Sequence, residues 1–487
     1  QDEKEIIPNS ELWTIHGKRY NMRDYVHMHP GGQHAIMLGQ GIDCTVLFET
    51  NHPFTERHRK MLAPYLHDEL PEPTCVDEPF NWKATPFYDE VKLACIAHFS
   101  PRGDETSSEV QRNSKATWAA WLEHGIGLLL LALAFYAWCC DAFLSMLYFP
   151  ALYFWVGSDL MHNGSHFAMS RKAWINTACS YLGVFHVQHH CWALQHVVGH
   201  HCHTNIQGAD PDLCHFAHTI PEEKYLPGFR VNDSQVTQAK YAPLWKFALF
   251  YHLLAATPAM ALLNHPRWLE NRCIEVPRLP VPERIVGAIK LDRALVVAAS
   301  IFFVLSRDSI GHGLFKVFWT WAVHSFLFLT FTQISHVNDE CMNGKEAYKA
   351  KQGTDTIEWA AHQLLTAADY GCENKLVRMV SINLNSQICH HMLPTVHPCH
   401  YPALRRKLLP IAEKHGLDYE ARSSNTLAGA VSKTLRWLCK LNEVDKKDHD
   451  GSFSMCGQQV GSTLWGVSLT MGLSYLLFLK PAMLLYL

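Results

Sequence analysis

The sequence predicts a mainly α protein: a polytopic membrane helical bundle of about four spans plus interfacial helices, preceded by a small soluble N-terminal domain. Three observations carry this. Hydrophobic residues make up 48% of the 487 residues and charged residues only 18%, below the usual quarter or so of a soluble domain. The apolar residues are clumped into runs long enough to cross a bilayer core of about 30 Å. The first 80 residues stand apart, with thirteen Asp/Glu against seven Lys/Arg. A net charge of −3 over the whole chain gives no electrostatic case for nucleic acid. The sixteen Cys show no CxxC pair and no regular framework, so they read as reduced thiols. No basic-then-apolar leader follows Gln1, so secretion is not expected.

Taken in order, residues 1–75 form the soluble domain. Residues 76–115 hold a linker rich in Pro and acid and then a short amphipathic helix, PFYDEVKLACIAHF, over 86–99. Residues 116–455 are the membrane domain. Within it, 116–140 and 142–161 form a first spanning hairpin broken at Asp141, and 285–306 with 313–337 form a second. Residues 241–263 carry Pro243 and Pro258 and either span or lie in the interface. Residues 456–487 are an apolar C-terminal segment whose topology stays open. There is no repeat of 20–50 residues.

The N-terminal domain contains His29-Pro30-Gly31-Gly32, with His52 following in LFETNHPF. A six-coordinate haem needs two nitrogen donors on opposite faces of the ring, and glycines next to a histidine let the backbone approach a flat macrocycle closely. Trp13, Tyr20, Tyr25 and Phe48 supply aromatic surroundings. This stretch resembles the cytochrome b5 family over about residues 8–75. The resemblance implies an α+β haem domain, haem b with His29 and His52 as axial ligands, and an electron-carrying role.

Three histidine clusters stand beside the apolar segments. In His162-Asn-Gly-Ser-His166, positions i and i+4 share one helical face. In Gln195-His196-Val-Val-Gly-His200-His201, His196 and His200 share a face while His201 is turned by about 100° and could reach a second metal. In Gln387-Ile-Cys-His390-His391, positions i, i+3 and i+4 converge. A further match, His186-Val-Gln-His189-His190, is set aside because the family these clusters resemble carries Thr-Asn and Asp-Pro-Asp after this box, matching Thr204-Asn205 and Asp210-Pro211-Asp212 behind 196–201.

Together the clusters resemble the membrane desaturases, in particular the front-end acyl desaturases with a fused cytochrome b5, over nearly the whole chain to about residue 440. Gln387 stands where other desaturases have the first histidine of the third box. Flanking QHVVGHHCHTNIQGADPDL, TQISHV and NLNSQICHHMLPTVHPCHYP match as well. The resemblance implies a di-iron centre held by His162, His166, His196, His200, His201, His390 and His391. It adds His336 as a further ligand and Gln387 as a neighbour or ligand. Cys389 replaces a more usual acidic residue, and the apolar tail at 461–487 is foreign to the family.

Taking two hydrogens from an unactivated acyl chain is beyond side-chain acids and bases, so redox metal and O₂ must act. The expected activity is an O₂-dependent front-end desaturation that places a cis double bond between the carboxyl end and an existing double bond. Δ5 or Δ4 is favoured, with Δ6 and Δ8 possible. The acyl chain is CoA- or phospholipid-linked and sits in an apolar tunnel between the spans. Electrons come from NADH through a cytochrome b5 reductase and the fused haem. The expected location is the endoplasmic reticulum membrane, with the haem domain and boxes cytosolic. The alternative is a cytochrome b5-fused fatty acyl or sphingolipid hydroxylase or desaturase. Asp159, three residues before His162, is expected as an outer partner of that ligand, because carboxylates at membrane depth usually have one.

Overall fold

The computed structural model describes residues 7–70, 80–183, 189–206, 283–307, 309–338 and 356–434, with a few isolated positions between them. The candidate segments at 241–263 and 461–487 lie outside the described residues.

The N-terminal domain is a three-stranded antiparallel sheet with short helices. Strands β1 (Trp13–Ile15), β2 (Lys18–Tyr20) and β3 (Leu66–Glu69) lie in that order, with a register shift between Arg19 and Tyr20. Helices α1 (Gln33–Met37), α2 (Thr45–Asn51) and α3 (Arg57–Leu62) fill the space between β2 and β3 in the chain. Trp13, Ile15, Tyr20, Val26 and Leu62 form its core. In β1, buried Trp13 and Ile15 flank half-buried Thr14 and supply an apolar face, as a sheet with one wet side requires.

Helix α4 (Pro86–Phe99) coincides with the amphipathic stretch read from the sequence and opens with proline, whose fixed φ suits the first helical turn. Its Phe87, Val91 and Cys95 pack against Trp359 and Leu364 of one later helix and Leu404 and Leu408 of another. Helix α5 (Ser107–Asn113) starts on a reciprocal cap between Thr106 and Glu109.

The membrane part begins with α6 (Trp118–Cys139), whose apolar side chains are largely exposed in the isolated chain. Next comes α7 (Ser145–Leu152), a π-helical stretch at Tyr153–Ser158, and α8 (Asp159–Ser165). Helix α9 (Ala173–Ser180) lies against α8 so closely that a Cβ on Gly164 would meet the Asn176 carbonyl at 2.6 Å. Helix α10 (His189–Trp192) leads into a second π-helical stretch, Ala193–His200, and then α11 (His201–His203). Two long helices follow, α12 (Glu283–Leu305) and α13 (Ile310–Gln333). The chain closes with α14 (Trp359–Thr366), α15 (Lys375–Val380), α16 (Gln387–Met392) and α17 (Tyr401–Lys414).

Both expected hairpins are present as helices. Among the described residues, though, two helical runs are long and apolar enough to cross a membrane, Ser107–Cys139 and Ile310–Gln333. The 142–161 run is interrupted by Pro150 and the π stretch and carries buried Ser158 and Asp159. Helix α12 carries Lys290, Asp292 and Arg293 in its first half. One polar group at depth is well accounted for: Lys316 of α13 is buried and reaches Asp141 at 2.5 Å, over the face of Trp138. That contact ties α13 to the turn between α6 and α7. The described cysteines are all free thiols.

Candidate haem pocket and metal centre

His29 and His52 face one another across a cavity of about 490 Å³ lined by Tyr25, Ala35, Leu47 and Phe48. Their ring centroids are 6.2 Å apart. A metal–imidazole bond of about 2 Å with the ring centre about 1 Å further back gives two rings on one ion a separation of about 6 Å. The spacing therefore suits two axial ligands of one haem. Each Nδ1 lies against a nearby carbonyl, His29 to Gly32 at 3.2 Å and His52 to Phe48 at 2.7 Å. An Nδ1–H donating there leaves Nε2 bare toward the cavity. Burial pulls the His52 pKa down to about 4 and lowers that of His29, so both rings are neutral at physiological pH. Gly31 leaves room for the His29 ring, since a Cβ there would meet its Cε1 at 2.8 Å. Gly32 holds a φ of 86° that other residues rarely adopt.

The cavity also touches the other half of the molecule. Phe167, Arg171, Ala173 and Thr395 line it, and Phe167 directly follows His166.

The three boxes and His336 meet in one fully enclosed cluster. His162 and His166 come from the C-terminal end of α8, His196 and His200 from the second π stretch, and His201 from α11. His336 follows α13, and His390 and His391 sit on α16. The donors divide into a four-histidine group (His162, His166, His196, His390) and a three-histidine group (His200, His336, His391). His201 joins them, forming a further group with His390 and His391. The Nε2 atoms of His162 and His201 approach that of His196 to 3.1 and 3.2 Å. Bare nitrogen lone pairs this close repel unless a proton or a cation lies between them. Burial drives the pKa values of His196, His201, His390 and His391 well below the ordinary histidine value. Protons are thus poor mediators, and a metal cation suits the gap. The buried Nε2 atoms of His166 and His390 have no hydrogen-bond partner, as ligand atoms awaiting an ion would not.

Behind the rings stand the groups that aim them. His200 Nδ1 is 3.0 Å from both oxygens of Asp210. His336 Nδ1 donates to the Thr366 carbonyl at 3.0 Å, and His391 Nδ1 to Gln363 Oε1 at 2.8 Å. His390 Nδ1 is 3.3 Å from the Tyr401 hydroxyl. Each contact fixes a tautomer with Nε2 forward, the usual outer arrangement of metal-bound histidine. At His200 burial opposes the cation, yet Asp210 and Asp212 outweigh it and raise the pKa to about 9. A metal at His200 Nε2 would take the place of the proton there, with Nδ1–H kept on Asp210. Gln387 Nε2 lies 2.9 Å from His336 Nε2 and 3.2 Å from His391 Nε2, inside the cluster.

The ring of His201 lies 4.7 Å from that of His196 and nearly perpendicular to it, and its nitrogen groups with those of His390 and His391, a set distinct from the four-histidine group that holds His196. One placement differs from those expected, that of Asp159. Asp159 does not touch His162. It accepts from Asn163 at 2.9 Å and faces His124 at 3.6 Å. His189 and His190, set aside from the boxes in the sequence, lie apart from the cluster and meet His34. Asp210 was legible only as a register marker, and Gln363 and Tyr401 carried no local signal at all.

Residues 141–423 match the family model described as Fatty acid desaturase, and residues 3–70 match that of the Cytochrome b5-like Heme/Steroid binding domain. The chain belongs to the fatty acid desaturase family. It is an oxidoreductase acting on acyl lipids, and its fused cytochrome b5 domain is consistent with the front-end type. It is 25% identical to the acyl-lipid omega-13 desaturase of Chlamydomonas reinhardtii, over 90% of this chain and 94% of that one. It is also 25% identical to the acyl-lipid (8-3)-desaturase B of Dictyostelium discoideum, over 89% and 91%. Against the acyl-lipid (8-3)-desaturase of Mortierella alpina it is 26% identical, over 80% and 84%. No solved structure matches. The cytochrome b5 domain implies haem and the desaturase family implies iron and a membrane setting.

Proposed function

We propose that this chain inserts a cis double bond into a polyunsaturated acyl chain between its carboxyl end and an existing double bond, at Δ5 or Δ4. The single observation that supports this most is the meeting of eight histidines from distant segments, next to a haem pocket walled partly by the same domain. The relatives described as (8-3)- and Δ5 desaturases favour the Δ5 side.

We read His162, His166, His196 and His390 as holding one iron, and His200, His336 and His391 as holding another, with His201 between them. Gln387 stands as a neighbour to the second set. Bound haem supplies single-electron transfer, and bound iron supplies the activation of O₂. The chain's own residues do the rest. Asp210, Gln363, Tyr401 and the Thr366 carbonyl keep each Nε2 aimed inward. Burial excludes water and keeps the unbound rings neutral except that of His200, where Asp210 and Asp212 favour the cation. Phe167 lines the haem cavity with its backbone joined to His166, so the electron route we favour runs from His29 and His52 through that contact. A haem held by His29 and His52 would take its electrons from NADH through a separate reductase.

The domain division we propose is 1–75 for haem, 76–115 for linker and amphipathic helix, 116–455 for the membrane desaturase and 456–487 for the C-terminal segment. The bundle has about four spans, with α7–α8 and α12 completing the two hairpins. It lies in the endoplasmic reticulum membrane, with haem domain and histidines cytosolic.

The test is expression in a host lacking such activity, fed a panel of polyunsaturated acids. Lipid profiling should show an acyl product short of two hydrogens, with the new bond nearest the carboxyl end. A product that gains an oxygen would point to the hydroxylase instead, and an unchanged profile across the panel would defeat the proposal.

A further inference from the structure

A second imidazole cluster lies outside the desaturase centre and joins the two halves of the chain. His34 comes from α1 of the haem domain, and His189 and His190 open α10 of the membrane domain. One ring nitrogen from each lies within 4.8 Å of the other two. The ring centroids are 4.5 Å apart for His34 and His189, 5.5 Å for His34 and His190, and 4.8 Å for His189 and His190.

Two independent features mark this as more than a contact between surface histidines. His189 is 3% exposed, and its Nδ1 has no hydrogen-bond partner. An enclosed ring nitrogen without a partner is costly unless something binds it. His190 Nδ1 lies 3.0 Å from Asp292 of α12. That carboxylate turns the Nε2 of His190 toward the other rings, as outer carboxylates do for metal-bound histidine. Tyr181 covers His189 with centroids 4.5 Å apart and closes one side. His34 and His190 are half-buried, which leaves an opening for a water as fourth ligand.

We propose that His34, His189 and His190 bind one divalent ion of the zinc class, and that this ion clasps the haem domain to the desaturase core. An all-imidazole donor set suits Zn²⁺ over Mg²⁺ or Ca²⁺, which prefer oxygen. Around a tetrahedral Zn²⁺ the ligand nitrogens lie about 3.4 Å apart, so small side-chain rotations complete the site. Beside it, Leu38, Ile42 and Leu47 of the haem domain pack on Ala193, Leu194, Val197 and Val198. The clasp and this apolar patch act together to hold the haem cavity against Phe167. The same stretch, Ala193–His200, carries His196 and His200, so the ion sits at the root of the segment bearing box ligands.

The experiment uses the full chain, purified in detergent with haem and iron loaded. The protein is equilibrated with Zn²⁺, desalted and assayed for zinc, haem and non-haem iron per chain. One zinc is expected in the unaltered protein. His34→Ala and His190→Ala should lose it while keeping haem and iron, and Asp292→Asn should weaken Zn²⁺ binding about 10–100-fold. An intact haem spectrum certifies folding of each variant, and His34→Gln serves where His34→Ala does not fold. Zinc content that is absent from the unaltered protein, or unchanged by loss of His34, overturns the clasp.

Discussion

The haem pocket and the eight-histidine cluster both present imidazoles with Nε2 forward, but they hold them by opposite means. His29 and His52 lean on carbonyls three and four residues away, and they face a cavity of about 490 Å³. In the cluster, His391 leans on Gln363, His336 on Thr366 and His200 on Asp210, across 28, 30 and 10 residues, with every ring enclosed. The first site is local and tolerant, and a short motif suffices to build it. The second exists only once the whole bundle has closed, so each part depends on the others.

The largest effects should separate the two sites cleanly. His200→Ala is expected to abolish desaturation while leaving the haem spectrum intact, and His29→Ala to abolish the spectrum. Product profiles and absorption spectra check both, and retained product in the first variant would break the division. Next, Asp210→Asn leaves every ligand in place but loosens the aim of His200. Iron content or turnover should fall about 10–100-fold. A change below twofold would mean that the outer partners of the cluster matter no more than the haem pocket's carbonyls.

Within the haem domain, buried Glu49 sharpens the contrast in stability. Burial pushes its carboxyl pKa up, but His16, His58 and Arg59 outweigh that, and the folded value lies below the ordinary 4.5. A depressed folded pKa means that its contribution is complete above about pH 4.5 and is lost as pH falls through the folded value. Glu49→Gln should cost about 2 kcal/mol at neutral pH, discounted for the exposed Arg59. Thermal melts followed at the haem band should also show a flatter acid decline in the variant. The smallest effect belongs to Gly32→Ala. Its Cβ would come within 2.7 Å of Ala173 Cβ at a φ of 86°. A loss of about 1 kcal/mol in haem-domain melting is expected, and a more stable variant would contradict the tight contact between the halves.

Much of this is legible in the sequence. The His-Pro-Gly-Gly turn is a local device, and helix α4 follows from amphipathic spacing bounded by Pro86 and Ser100. The box histidines also stand out by type and spacing. What sequence could not supply was reciprocity at a distance. Gln363 looks like any helical glutamine until His391 is beside it. Asp159 looked like a partner for His162 by proximity in sequence, yet the helix turned it toward Asn163 and His124. Hydropathy saw 142–161 as a plain span because it is blind to the π stretch at Tyr153–Ser158.

The other π-helical stretch, Ala193–His200, has a consequence of its own. Its wider winding is what lets three imidazoles from one short strip of chain crowd around a common point. Removing a single residue there, even a featureless one such as Val198, would tighten the coil and swing one ring out of reach. Side chains along that strip can be exchanged, but its length is itself part of the chemistry.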